Sequence, residues 1–378
     1  MKKGGAKMMV KKTICLALLF ICLFGVSNIT SFASAEKIST SAHSAVLYLP
    51  ETHSFLYAKN ADTRMAMAST TKIMTALIVL ENSNLDDIVT IPQQAVGTEG
   101  SSAYLKVGEK LTIEEMLYAL LLQSANDVAV SLADHIGGDI EGFAELMNSR
   151  AESLGLVDTH FSNPHGLDDK EHYTTARELS IIAAEAMKND IFRQIVSTKK
   201  KSFVTEERSR TYINHNKLLA LYDDCIGVKT GFTKKSGRCL VSAAERDGLT
   251  FISVTLNAPN DWSDHTDLLN YGYSRIEKIT LCNSEDYKYS LPIINLEGES
   301  VLVTNKESRF IISERGDNNV EEHVRIYRYA IAPVEEGDVL GEVIYTKNGE
   351  EISRVQLVAC QTVEKQSKLI DKIFSLFK

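Results

Sequence analysis

The order of predicted elements in this chain of 378 residues indicates an α+β fold followed by a small all-β domain. Residues 36–277 contain a predicted hairpin, several helices, three successive strands and a last helix, which is the order that an α+β sandwich needs. From residue 278 to residue 361 the pattern changes to short alternating strands separated by turns. The chain is too long for one ordinary core, so we expect two domains.

The elements of the first domain follow from hydrophobic periodicity and turn residues. An apolar run over residues 73–80 predicts a buried helix with Ser69 in its first turn, and Asp247-Gly248 is the strongest hairpin signal. Thr112 and Thr175 are predicted helix caps. The other predicted strands are 45–49, 54–58, 87–91, 103–105, 226–232, 238–244 and 250–256. The other predicted helices are 113–122, 127–136, 140–154, 176–188 and 262–276, with a loop at 161–173 and a solvated turn around 199–201.

The first 35 residues differ from the rest of the chain. Five lysines and no acidic residue accompany an apolar run over residues 14–24, and Ala33-Ser34-Ala35 follows. A basic region, a short apolar region and a small-residue cleavage site predict a secretory signal peptide over residues 1–35, so we expect an exported protein. The alternative is an uncleaved anchor helix, which needs a longer apolar run to span a bilayer comfortably.

Charge and cysteine content bear on nucleic-acid binding and on disulfide formation. Removal of the five leader lysines changes the formal net charge from −9 to −14, and an acidic chain is a poor nucleic-acid binder. Four cysteines remain after residue 35: Cys225, Cys239, Cys282 and Cys360. Cys225 and Cys239 flank a predicted hairpin and are the favoured pair if a disulfide forms. We favour free buried thiols, because a domain of this size does not need a covalent link.

The last residues, 362–378, predict an amphipathic helix. One helical stripe carries the apolar side chains and lysines lie elsewhere; the stripe is Leu369, Ile370, Ile373, Phe374 and Phe377. A terminal helix of this kind can lie in a membrane interface, here the outer face of the cytoplasmic membrane. The alternative is that it packs on its own protein.

Ser69 and Lys72 are the central candidate pair. Three residues are close to one helical turn, so the amine and the hydroxyl share a helix face. A serine hydroxyl becomes a useful nucleophile when a base removes its proton, and a lysine serves as that base only if its pKa is lowered. Burial, the helix N-terminus and a second cation all act in that direction. Alone, S-x-x-K is weak, because serine is a common helix cap.

Two further stretches strengthen this interpretation. Ser124 and Asn126 interrupt a helical region as S-x-N, and Lys229-Thr230-Gly231 lies on a strand-like run. S-x-x-K, S-x-N and K-T-G in this order form the motif set of serine β-lactamases and penicillin-binding proteins. The chain resembles that superfamily, and in finer detail the low-molecular-weight D-alanyl-D-alanine carboxypeptidases of bacterial cell-wall metabolism. The resembling stretches lie within residues 44–256 and are 68–75, 123–127, 163–167, 172–176 and 227–233.

The resemblance implies a β-lactamase/transpeptidase-like fold, in which an antiparallel sheet is flanked by helices and the site lies between the sheet edge and a helical subdomain. It implies that Ser69 attacks the carbonyl between two D-alanines of a peptidoglycan stem peptide, that Lys72 takes its proton, and that Ser124 relays a proton to the leaving amine. The implied substrate-binding residues are Asn126, Lys229, Thr230, Gly231 and Phe232. No metal or organic cofactor is implied, and β-lactam antibiotics are implied as covalent inhibitors.

Three other functions stay open at this point. A serine β-lactamase shares the motifs, although no convincing E-x-x-x-N stretch lies between Ser124 and Lys229. A D,D-endopeptidase that cuts cross-links has the same motifs. An inactive cell-wall-binding protein is the non-enzyme alternative, and the presence of every motif residue disfavours it.

The histidines raise a further alternative. A metal site is conceivable at His165, Asp168, Asp169 and His172, but no HExxH-type spacing or cysteine pair accompanies them. We therefore expect hydrogen bonds that fix the loop instead. His215 is expected to be a structural polar residue rather than a catalytic base.

Overall fold

The computed structural model describes residues 38–204 and 208–365. The predicted signal peptide lies outside the described residues, and so does most of the predicted terminal helix, from residue 366 onward. The described helices are α1 Lys72–Asn82, α2 Ile113–Leu122, α3 Asn126–Gly137, α4 Ile140–Ser153, α5 Ala176–Met187, α6 Asp190–Ser197, α7 Leu218–Leu221 and α8 Asp261–Arg275. Short 3₁₀ turns occur at Pro50–Thr52, Ala68–Thr71 and Gln93–Ala95.

The strands, numbered in chain order, are mostly short. They are β1 Ser44–Leu49, β2 Ser54–Lys59, β3 Ile88–Thr90, β4 Lys110–Thr112, β5 Lys200–Val204, β6 Ser209–Ile213, β7 Cys225–Thr233, β8 Gly237–Arg246, β9 Leu249–Leu256, β10 Ile276–Cys282, β11 Lys288–Pro292, β12 Ser300–Thr304, β13 Arg309–Glu314, β14 Val320–Ile326, β15 Val339–Lys347 and β16 Glu350–Ala359.

A five-stranded antiparallel sheet organises the first domain. Its strand order is β2-β1-β9-β8-β7, so the first hairpin joins the three later strands and β7 forms an edge. The predicted turn at Asp247-Gly248 is confirmed, since both residues have positive φ angles, 53° and 72°. Helix α8 packs on one face of the sheet, where Tyr273 stacks edge-on against Phe251. The opposite face joins the core of the helical part.

The helices around α1 form the second half of that core. Residues 72–79 of α1 are all buried, which agrees with its continuous apolar run. The predicted caps are confirmed: the side chain of Thr112 accepts from the N–H of Glu115, and that of Thr175 accepts from the N–H of Glu178. Helices α2 and α3 are separated by only a few residues, and this break holds the S-x-N motif.

The C-terminal β domain has its own hydrophobic core. Strands β11-β12-β16-β15-β14 form one antiparallel sheet, and β10 pairs with β13. Its most buried side chains include Val301, Val303 and Leu357. The predicted fold class, an α+β domain followed by an all-β domain, is confirmed.

Several local predictions were wrong. Residues 103–105 form no strand, and β3 pairs with β4 instead. Residues 199–201 are not a solvated turn, because β5 begins at Lys200 and pairs with β6. The short helix α6 was missed, although Asn189 caps it by accepting from the N–H groups of Ile191 and Phe192.

A disulfide between Cys225 and Cys239 is excluded by the strand register. Cys225 pairs with Ala244, whereas Cys239 pairs with Gly231, six positions further along β7. At about 3.3 Å per residue the two thiols are roughly 20 Å apart. All four cysteines of the described residues are free thiols. Within residues 38–204 and 208–365, no helix has both the length and the apolar character needed to cross a membrane.

Candidate active site

Ser69 lies in the 3₁₀ turn that leads directly into α1. This differs slightly from the predicted first α-helical turn, since the α-helix itself begins at Lys72. The turn still brings the two side chains together, with 3.1 Å between Lys72 Nζ and Ser69 Oγ. Ala68 precedes the serine with a φ of 48°, an unfavourable region for a residue with a side chain. Backbone outliers of this kind concentrate at functional sites.

The amine of Lys72 is held by two carbonyl oxygens. It donates to Asn126 Oδ1 at 2.6 Å and to the backbone carbonyl of His165 at 2.7 Å. Both partners can only accept, so they use two N–H groups of the amine. A neutral amine then has its lone pair left for Ser69, whose hydroxyl can donate to it. The geometry therefore suits a proton acceptor at Lys72.

The electrostatics of the site favour the neutral amine. Lys72 is fully buried, and burial lowers its pKa well below the ordinary value. The nearby cation of Lys229 lowers it further, whereas Asp127 has a smaller opposite effect. Lys229 is itself only 1% exposed, and burial lowers its pKa to about 7.

Ser124 and Asn126 come from the break between α2 and α3. Ser124 is buried, has a φ of 61°, and its Oγ has no hydrogen-bond partner among the described residues. Asn126 reaches Lys72 with its oxygen and donates from Nδ2 to the carbonyl of Glu99 at 2.6 Å. The Asn126 side chain thus joins the amine to the loop at residue 99.

The K-T-G motif lies on the edge strand β7. A Cβ built on Gly231 would lie 3.0 Å from the backbone nitrogen of Ser69, so glycine lets β7 approach Ser69 closely. Lys229 donates to the carbonyl of Thr230 at 2.9 Å, and Thr230 itself is half-buried. The ring of Phe232 is 66% exposed.

Hydrogen bonds hold the conformation of the loop at residues 161–173, which contains His165 and His172. His172 Nε2 lies 2.7 Å from Thr71 Oγ1, and its Nδ1 accepts from the N–H of Ser162 at 3.1 Å. His165 Nδ1 accepts from the N–H of Leu167, and Asp168 accepts from Thr233 Oγ1. Among the residues that the structure describes, no group of three potential ligands is placed to hold a metal ion.

Comparison with known proteins identifies the family. A model of the D-alanyl-D-alanine carboxypeptidase family matches residues 30–260, and a model of the penicillin-binding protein 5 C-terminal domain matches residues 277–365. The chain belongs to the D-alanyl-D-alanine carboxypeptidase family. It is accordingly a D-alanyl-D-alanine carboxypeptidase, a hydrolase of the serine peptidase type.

Two of the following three relatives and solved structures cover most of this carboxypeptidase, and the third covers 62% of it. The D-alanyl-D-alanine carboxypeptidase DacF of Bacillus subtilis (strain 168) is 29% identical over 369 residues, which cover 92% of this chain and 95% of that protein. The crystal structure of the D-alanyl-D-alanine carboxypeptidase DacD from Francisella tularensis has a TM-score of 0.63 at 26% identity, covering 87% of this chain and 95% of that one. The Streptomyces K15 DD-transpeptidase is 40% identical, with a TM-score of 0.59 over 62% of this chain and 98% of that one.

Sequence reasoning missed how His165 and Gly166 contribute to the carboxypeptidase site. The carbonyl of His165 fixes the Lys72 amine, and Gly166 presses against the turn that carries Ser69. A Cβ on Gly166 would lie 2.0 Å from the carbonyl oxygen of Ala68, and the residue has a φ of 88°. The glycine in N-P-H-G was a usable signal, because such a φ favours glycine.

Gly166→Ala is expected to lower kcat/KM of the carboxypeptidase by about 100-fold or more, because displacing the turn moves the nucleophile by a fraction of an ångström or more. Gly155→Ala is the matched control, since Gly155 has a φ of 75° but open space around its Cβ position. That control bears only the backbone cost of about 1 kcal/mol. Steady-state kinetics and thermal unfolding of both variants test this, and equal activities would contradict it.

Proposed function

We propose that this carboxypeptidase removes the terminal D-alanine from peptidoglycan stem peptides through an acyl-enzyme on Ser69. One observation carries the proposal: the Lys72 amine lies 3.1 Å from Ser69 Oγ, while two carbonyl oxygens accept hydrogen bonds from its N–H groups. Lys72 accepts the hydroxyl proton as Ser69 Oγ attacks the carbonyl carbon between the two D-alanines. The resulting oxyanion is stabilised by the backbone N–H groups of Ser69 and Phe232.

Collapse of this intermediate breaks the peptide bond. Ser124 relays the proton held by Lys72 to the leaving amine, so Lys72 is neutral again and the D-alanine departs with its own carboxylate. Ser124 Oγ is buried and has no hydrogen-bond partner within residues 38–204 and 208–365, which supports this role. Water then attacks the ester carbonyl and gives a proton to Lys72. Lys72 returns this proton to Ser69 Oγ as the ester bond breaks and the shortened peptide leaves. A β-lactam follows the first half of this path and leaves an acylated Ser69.

Substrate recognition rests on the cationic side of the cleft. The free carboxylate of the terminal D-alanine pairs with Lys229 and accepts a hydrogen bond from Thr230 Oγ1. Gly231 lets the peptide lie close to the edge of β7, and Asn126 bonds the substrate backbone or steadies Lys72. Lys229 has a second effect, since its charge helps keep the Lys72 amine neutral.

The decisive experiment combines two measurements on one preparation. The chain without residues 1–35 is incubated with a labelled penicillin and the modified residue is mapped by peptide mass spectrometry. Release of D-alanine is measured with a peptide that ends in D-Ala-D-Ala. We expect one long-lived adduct on Ser69 and steady D-alanine release. Labelling of another residue would overturn the assignment of the nucleophile.

The same measurements separate the rival functions. A β-lactamase would turn penicillin over rapidly instead of retaining the adduct, and an inactive wall-binding protein would form no adduct. A D,D-endopeptidase would cut cross-linked dimers of stem peptides, which serve as a second substrate in the assay. Transfer to an amine acceptor is a further candidate, because a solved relative that is 40% identical is described as a DD-transpeptidase. Added glycine competing with water for the acyl group would reveal it.

The pH dependence of the free enzyme is a further test. Lys72 must be neutral to accept a proton, so kcat/KM is expected to fall as pH drops through its lowered pKa. Lys229 must be charged to attract the carboxylate, so kcat/KM is expected to fall again as pH rises above about 7. In Lys229→Arg the guanidinium stays charged, and the alkaline limb should disappear. An alkaline limb unchanged in that variant would assign it to another group.

Location and domain organisation belong to the proposal as well. We assign residues 1–35 to a signal peptide, 36–277 to the catalytic domain, 278–361 to the β domain and 362–378 to a membrane-associating helix. The leader pattern and the amphipathic stripe support export and peripheral attachment to the outer face of the cytoplasmic membrane. The two family matches, which meet between residues 260 and 277, support the division of the domains.

A further inference from the structure

One end of the C-terminal sheet presents a group of exposed apolar side chains. Ile294, Tyr327, Tyr329, Ile331 and Val339 are each between 47% and 63% exposed. We call these five residues the apolar tip. Single exposed apolar residues are common on soluble proteins, whereas a contiguous group of them is typical of a surface that contacts a membrane or another protein.

Chain topology brings the members of the apolar tip together. After β14 the chain crosses the end of the sheet, where the N–H of Tyr327 donates to Leu340 at 3.0 Å. Three residues after Tyr327, the carbonyl of Ala330 accepts from the N–H of Ile294, which follows β11, at 3.1 Å. Since Ala330 stands between Tyr329 and Ile331 in sequence, these side chains share one edge with Ile294.

The apolar tip lies at the end of the sheet away from the catalytic domain. At the opposite end, Lys347 and Ile352 line a cavity of about 380 Å³ together with Glu51 and Thr52 of the catalytic domain. Strand β15 runs from the tip to that end, from Val339 to Lys347. At about 3.3 Å per residue the strand separates the two ends by roughly 26 Å.

The described chain also ends at the apolar tip. After β16, Val363 pairs with Val334, only three residues beyond Ile331, and each donates its N–H to the other's carbonyl. The last described residues therefore lie at the same end of the sheet as the apolar tip. The sequence that continues from them is the amphipathic one suited to a membrane interface.

We infer that the apolar tip is a second membrane contact, which enters the interface of a lipid bilayer next to the C-terminal tail. This inference rests on the proposed export and membrane attachment. Tyrosine suits that region, because its ring is apolar and its hydroxyl remains hydrated among the headgroups. Glu335, Glu336 and Asp338 lie on the same loop, so the tip suits zwitterionic lipid, while the tail lysines supply attraction to anionic lipid.

Vesicle partitioning of the chain without residues 1–35 tests the inference. Binding is measured by sedimentation with phosphatidylcholine vesicles, with and without phosphatidylglycerol, at low and high salt. The test variant is Tyr329→Ser with Ile331→Ser. The control is Val157→Ser, since Val157 is 80% exposed on the catalytic domain. We expect about tenfold weaker partitioning of the test variant onto phosphatidylcholine, little affected by salt, and no change in the control.

A direct contact measurement accompanies the partitioning. Trp262 is the only tryptophan, so Trp262→Phe with Tyr329→Trp places a single reporter at the tip. Quenching of its fluorescence by brominated lipid is expected. Wild-type-like partitioning of the serine variant, or an unquenched reporter, would overturn the inference. A chain that fails to partition at all, because its tail packs on the tip, would overturn it too. D-alanine release by the same samples reports separately on the proposed catalytic function.

Discussion

Ser69→Ala is expected to reduce D-alanine release by about 10⁴-fold or more, because removal of the nucleophile leaves only binding and the oxyanion donors to act on the substrate. The variant should fold normally, since the change deletes one oxygen from a partly exposed side chain. Labelled penicillin should form no covalent adduct. Steady-state D-alanine release and a gel-based labelling assay measure both outcomes.

A matched control shows whether the effect is specific to position 69. Ser54→Ala removes a hydroxyl from an exposed position at the start of β2, where it donates to the local carbonyl of Thr52. That variant should retain full labelling and turnover. If Ser69→Ala still released D-alanine at the wild-type rate, the acyl-enzyme would have to form elsewhere and the mechanism would be wrong.

Lys72→Met is expected to lower kcat by about 10³-fold, within the range for loss of a general base. Methionine has a similar length and stays uncharged, so the change removes proton transfer with little change in volume. Asn126 Oδ1 and the carbonyl of His165 lose their donor, which costs stability of about 1–3 kcal/mol for each buried group. Kinetics and thermal unfolding are measured together.

Two companion variants separate proton transfer from charge. Lys72→Arg keeps a cation that cannot accept a proton at neutral pH, so its kcat should be as low as that of Lys72→Met. Lys188→Met removes an exposed lysine that pairs with Glu185, and it should leave kinetics unchanged. Near-normal turnover in Lys72→Arg would show that position 72 supplies charge rather than a base.

Local chemistry could be predicted from the sequence because its signals are local. Ser69 and Lys72 are three residues apart, so helical geometry alone places them together, and the Thr112 and Thr175 caps follow from neighbouring residues. The type of the second domain followed from alternating patterns over many residues. These predictions depend on neighbouring residues, so they could be made without knowledge of the tertiary packing.

The remaining features depend on contacts between distant parts of the chain. The carbonyl that fixes Lys72 comes from His165, 93 residues away, and a backbone oxygen leaves no trace in residue type. The close approach of Gly166 to Ala68 likewise depends on the packing of two segments that are distant in the sequence. Helix α6 was missed because it has only eight residues, although its buried residues Phe192, Ile195 and Val196 follow helical spacing.

The position of Ser124 has a consequence for when its hydroxyl gains a partner. Among the described residues its Oγ has no hydrogen-bond partner. The nitrogen of a peptide or lactam becomes a good acceptor only when the adjacent carbonyl carbon turns tetrahedral, because its lone pair is then no longer delocalised. Under the proposed mechanism, the bond from Ser124 therefore strengthens in the transition state, so this residue should contribute more to kcat than to the binding of intact substrate.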